Sequence, residues 1–197
     1  MSAAPPPGYG YPHPYGMQPP RPSGGGGGAI ITILLLFVVG IPLLGTLAAL
    51  AIYGVRKYVV NAKTMEARSS LAQIGKAAAT SYQAPNLDGS SKHVVCPSAS
   101  RPVPRNRSDV SGRKYQSSRV DWEVDRDANA GFSCLHYEMS VPQYFQYVYS
   151  ATSVSMNAEA HGDLNGDGMF SDFVLEGRVE GAYLVLAPTI RETNPEQ

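Results

Sequence analysis

From Ala29 to Val55 the chain runs 27 residues without a charged side chain. About 20 apolar residues carry a helix across the hydrocarbon core of a bilayer. Core helices of soluble domains rarely stay uncharged for so long. The run therefore reads as a membrane anchor, bounded by Ala29 and Val55 and containing Leu36, Pro42 and Gly45. Transmembrane helices tolerate Gly40, Pro42 and Gly45, with a kink or local unwinding expected near Pro42. A cleaved signal peptide is the rival reading, since Ala49-Leu50-Ala51 has the small-x-small form of a cleavage site. The apolar stretch before it exceeds the usual span of about 7–15 residues, and no basic cluster precedes it.

Composition divides the rest. Residues 1–28 are rich in Pro, Gly and Tyr and end in a five-Gly run. Such a segment buries too little apolar surface to offset chain entropy, so disorder is expected, with polyproline II geometry early and a hinge at Gly24 to Gly28. It reads as a solvated spacer or as a docking tail for a cytoplasmic partner. Formal net charge is zero, but no acid occurs before Glu66. Only Arg21, Arg56, Lys57 and Lys63 are basic before that point, so the remainder is mildly acidic. A mildly acidic domain has no basic stripe to meet phosphates, which argues against a nucleic-acid partner.

Nothing from Arg56 to Gln83 breaks a helix, and Pro85 supplies the first stop. Val60, Ala67, Leu71, Ile74, Ala78 and Tyr82 fall on one helical face. The spacing predicts one helix from Ala29 to about Tyr82, roughly 80 Å long at 1.5 Å per residue. Residues 29–55 face lipid, and 56–83 are amphipathic.

Leu47-Ala48-Ala49-Leu50-Ala51-Ile52, then Tyr58, Val60, Ala62-Lys63 and Glu66-Ala67, resembles the N-terminal helix of type IV pilins and pseudopilins. The match runs from Thr46 to Ala67 without a gap. The resemblance implies an α+β fold, with a long N-terminal helix whose second half packs on an antiparallel sheet. It also implies polymerisation through the apolar half. Four family features differ: the family's helix-kinking proline falls on Tyr53, the short basic leader is replaced by the Pro/Gly tail, and two more concern assembly and processing. The glutamate near the start of the mature helix falls on Leu36, and the prepilin peptidase site falls on Ile31-Thr32. The expected protein is pilin-like but keeps its tether.

Residues 84–197 form the soluble domain. Residues 84–130 read as a long loop region with a short strand at His93 to Cys96. Strands are expected at Gly131 to Met139, Gln143 to Tyr149, Val154 to Ala160, Phe173 to Glu180 and Ala182 to Ala187, the last two joined by a tight turn at Gly181. Short successive strands favour an antiparallel meander. Tyr137, Tyr144, Phe145, Tyr147 and Tyr149 are expected to build the sheet core. The segments Phe132 to Met139, Pro142 to Tyr149 and Ala160 to Gly168 also resemble soluble domains of bacterial pilin-like proteins.

Cys96 and Cys134 are the only cysteines. In an exported domain they form one disulfide. The alternatives are free thiols and zinc, the latter held by His93, Cys96, Cys134 and His136. Asp163, Asn165, Asp167 and Gly168 match the first half of a calcium loop, with Ser171 at its ninth position. The bidentate acid of the twelfth position is replaced by Val174. The bland reading is a turn built from Asx hydrogen bonds.

Nucleophile and phosphate-binding motifs are missing from the sequence, so an enzyme is not expected. Two functions remain. One is a structural pilin-like subunit or accessory of a pilus or secretion-type filament, partnered by lipid and by itself or similar subunits. The other is a tethered adhesion module using calcium at Asp163. The expected location is a bacterial inner membrane, with the N-terminus cytoplasmic and the domain periplasmic or extracellular. The basic residues after the span, Arg56, Lys57, Lys63, Arg68 and Lys76, pull the other way.

Overall fold

The apolar run is helical from end to end. Helix α1 spans Gly26–Leu35, a π-helical turn spans Leu36–Gly40, and helix α2 spans Ile41–Gln83. The computed structural model describes residues 26–85 and 93–195. The expected disordered tail therefore lies outside the described residues up to position 25. Gly26 to Gly28 are helical, so the expected hinge does not extend through them.

The π turn has a local cause. Pro42 lacks an N–H and its ring crowds the carbonyl one turn earlier, so the ladder widens just before it. Ile31 to Tyr58 then carry their apolar side chains exposed: Leu36 is 65%, Leu44 68% and Leu50 67% accessible. Ile31–Gln83 is long and apolar enough to cross a membrane.

Two compact units are present, Met1–Ala49 and Leu50–Gln197. In the second, α2 changes character. Thr64, Ala67, Ser70, Leu71, Ile74, Gly75, Ala78 and Tyr82 are buried. They recur at helical spacing and match the expected face, with Val60 half-buried at its start. Gly75 lets helix and sheet approach closely. A Cβ there would stand 2.6 Å from Leu175 Cδ2 and 3.1 Å from Leu186 Cδ1.

The sheet has strands β1 Gln146–Ala151, β2 Ser155–Gly162, β3 Ser171–Glu180, β4 Tyr183–Leu186 and β5 Arg191–Thr193. The first four form an antiparallel meander in that order, and β5 pairs with β3 beyond β4. Gly181, at φ +62°, makes the expected tight turn between β3 and β4. Tyr147 pairs with Ala160 and Tyr149 with Ala158, while Phe173 and Leu175 pair with those alanines from the other side. This face is the core, and large rings sit beside small alanines so that layers interdigitate.

Three expectations change. Gly131 to Met139 is not a strand. Helix α4 spans Gly131–Cys134, and Gly131 takes φ +55°. A Cβ on Gly131 would stand 2.6 Å from Ala99 Cα, so only glycine permits this crossing. His93 to Cys96 is likewise irregular rather than a strand. The region 84–130 holds a 3₁₀ turn at Arg107–Val110 and helix α3 at Arg119–Trp122. The signal for α3 was a capping box: the Asp121 carboxylate accepts from both the Ser118 N–H (2.9 Å) and hydroxyl (2.8 Å). Trp122 is buried, edge-on to Phe132 at 4.9 Å and to Tyr137 at 5.4 Å, and its indole N–H donates to Ser117 Oγ.

Candidate functional site

Cys96 and Cys134 are disulfide-bonded, with Cα atoms 5.8 Å apart. The Gly131 N–H donates to Pro97 O at 2.9 Å, which brings α4 alongside the Cys96 segment. This replaces the zinc alternative. His93 is turned away to Tyr82, with Nδ1 2.8 Å from Tyr82 O and the rings stacked at 5.1 Å. His136 is exposed at φ +52°. The four expected ligands therefore do not converge.

The Asp163 loop folds on its own hydrogen bonds. Asp163 is fully buried. Its Oδ1 accepts from the Gly166 N–H (2.7 Å), and its Oδ2 from the Gly168 N–H (3.1 Å) and the Ser111 hydroxyl (2.5 Å). Burial pushes its carboxyl up, but these donors outweigh burial and hold it below the ordinary aspartate value. Asn165 Oδ1 accepts from the Asp167 N–H, and Asp167 Oδ1 accepts from the Met169 N–H. Ser171 opens β3 and donates to Asn194 O at 2.8 Å. Among the described residues, no group of three or more His, Cys, Asp or Glu side chains is placed to hold a metal.

The helix–sheet seam is where polar residues gather. Glu66 Oε1 accepts from the Tyr144 N–H (2.8 Å) and the Tyr147 hydroxyl (3.3 Å). Burial first, then the Glu66 charge, push the Tyr147 phenol well up, so it stays a neutral donor. Arg68 forks onto Glu192 in β5, with Nε to Oε1 at 2.7 Å and Nη2 to Oε2 at 2.8 Å. Lys63 and Lys114 both lie against the Tyr144 ring, at 4.7 Å and 4.8 Å from its centroid. None of these stood out in the sequence as functional. The available signal was Glu66, the first acid in the chain, placed one residue before a core alanine.

On the other sheet face, His161 is buried between two acids. Its Nδ1 is 2.5 Å from Asp172 Oδ1, and its Nε2 is 3.2 Å from Glu159 Oε2. Gln146 and Asp172 flank it on β1 and β3. A cleft of about 440 Å³ lies over Trp122 and Phe132. Its rim charges pair with each other, Arg119 with Glu123 at 2.7 Å and Arg126 with Glu123 at 3.4 Å. The geometry chiefly serves to lock a helix onto a sheet.

Comparison with known proteins brought no match to this chain, whether among family models, curated proteins or solved structures.

Proposed function

We propose that this chain is a structural protein of a bacterial cell envelope, a pilin-like subunit or filament accessory that keeps its membrane anchor. The observation that carries this reading is the change of burial along the helix. Apolar side chains are exposed from Ile31 through Tyr58, and a full face is buried from Thr64 to Tyr82 against an antiparallel sheet. The exposed half is soluble only where lipid, or the helices of similar subunits, surrounds it.

The N-terminus is cytoplasmic and the sheet domain lies outside. The disulfide supports this orientation, since such bonds persist in oxidising compartments. One of the opposing basic residues, Arg68, is engaged in the folded domain by Glu192. Positive charge counts weigh on short loops more than on long translocated domains.

Two measurements test the proposal. Alkaline carbonate washing should leave the chain in the membrane pellet, and surface filaments sheared from cells should contain it. Release by carbonate overturns the anchor, while steady absence from filaments overturns the subunit role. N-terminal sequencing of the mature protein should show residues preceding Ala29. A start at Ala29 or Thr32 would instead mean pilin-type processing, and one at Ile52 would mean secretion.

A further inference from the structure

Tyr144 is approached by two cations. Lys63 Nζ from α2 and Lys114 Nζ from the preceding loop both contact its ring. Their separation is thus within about 10 Å, one Debye length at 0.1 M salt, where like charges repel. The described ion pairs include neither lysine, nor Arg56. Of the acids nearby, Glu66 attracts Lys114 without forming an ion pair with it. Glu66 accepts from Tyr144 and Tyr147, and Asp163 is buried under its own loop donors. Lys63 also donates to Leu164 O at 3.3 Å, which fixes the ammonium beside that loop.

Arg56 lies two helical turns before Lys63 and so projects along the same face of α2. Lys57 follows it, and both are exposed. Tyr53 and Tyr58 flank the pair, 66% and 75% accessible. Apolar residues precede this collar, Leu50, Ile52 and Val55, all more than half exposed. The order is apolar stretch, aromatic and basic collar, then folded domain. Tyrosine rings favour the headgroup level of a bilayer, and basic side chains there are drawn to anionic lipid.

We propose that Arg56, Lys57, Lys63 and Lys114 form a binding collar for anionic phospholipid headgroups, with Lys63 and Lys114 gathered at the Tyr144 ring as its domain-side charges. Lysine meets phosphate as a compact point charge, and the fixed Tyr144 ring pre-places both ammoniums. The occupant is lipid rather than nucleic acid because the collar adjoins the apolar stretch and the rest of the domain is acidic. The collar seats the sheet domain at the outer leaflet surface. It rests on the membrane-anchor reading and is independent of filament membership.

The test uses the full chain purified in neutral detergent and offered equal phosphatidylcholine and phosphatidylglycerol, with bound lipids counted by native mass spectrometry. Phosphatidylglycerol should be retained several-fold over phosphatidylcholine. Lys63→Gln with Lys114→Gln should lower its retention about fivefold per charge removed. Phosphatidylcholine retention should not change, and Lys76→Gln, exposed elsewhere on α2, should behave as the parent. Equal retention of the two lipids overturns the collar and leaves the anchor standing. An unaltered preference in the double variant also overturns it. If that variant fails to fold, Arg56→Gln with Lys57→Gln decides the matter, since those side chains sit on exposed helix, and an unaltered preference there overturns the collar. Retention of neither lipid overturns the anchor reading as well.

Discussion

Arg68 and Glu192 form a two-pronged ion pair that ties the long helix to the last strand of the sheet. The Arg68 hydrogen bond holds the Glu192 carboxyl below its ordinary value. A depressed acid contributes stability above its unfolded pKa, and that stability is lost as pH falls through the lower folded value. Arg68→Ala should therefore cost about 0.5–1 kcal/mol at neutral pH, allowing for solvent screening of a pair at 37% and 25% accessibility. The difference should shrink as pH drops below about 4.5, the reference value for glutamate. Urea melts of both proteins in detergent at several pH values read this directly.

Reducing the Cys96–Cys134 bond should destabilise the domain by about 2–4 kcal/mol, because the bond closes a segment with a sequence separation of 38. Paired melts with and without reductant should differ for the parent and coincide for Cys96→Ala with Cys134→Ala.

Gly75→Val should cost about 1–3 kcal/mol, as the new side chain meets Leu175 and Leu186 in a filled seam. Gly45→Val, where a Cβ meets nothing within 4 Å, should leave the melting temperature of the sheet domain unchanged.

Asp163→Ala should cost about 2–3 kcal/mol, since it leaves the Gly166 and Gly168 N–H groups without their charged acceptor. Asp167→Ala, on the exposed loop tip, should cost well under half of that. Ser111, Gly166, Gly168 and Asp167 all donate to Asp163, which fills its roughly four acceptor sites, so added calcium or chelator should leave the melting temperature unmoved. A calcium-dependent rise would assign the loop to metal instead.

Much of this was legible in advance. Periodicity marked the buried face of α2, because a 3.6-residue repeat survives whatever it packs against. Alternation and Gly181 located β1 to β4 to within a few residues. Strand β5 escaped because three residues, Arg191 to Thr193, carry no period. Gly131 to Met139 read as a strand on its apolar content, yet close packing on Ala99 and the left-handed Gly131 turned it into a helical turn. Metal loop and tight turn are indistinguishable in the sequence from Asp163 to Ser171, since both use the same oxygen-bearing residues at the same spacing.

By itself the sequence determined the uncharged span, its continuation as an amphipathic helix and a following antiparallel meander. Those properties depend on local composition and on short-range period. Only the tertiary structure decided which polar groups meet. Glu66 with Tyr147 and Arg68 with Glu192 are separated by 81 and 124 residues along the chain, and Lys63 and Lys114 reach Tyr144 from different segments. No periodicity encodes such distances, because the partners come together only when the helix packs on the sheet and excludes water from the seam.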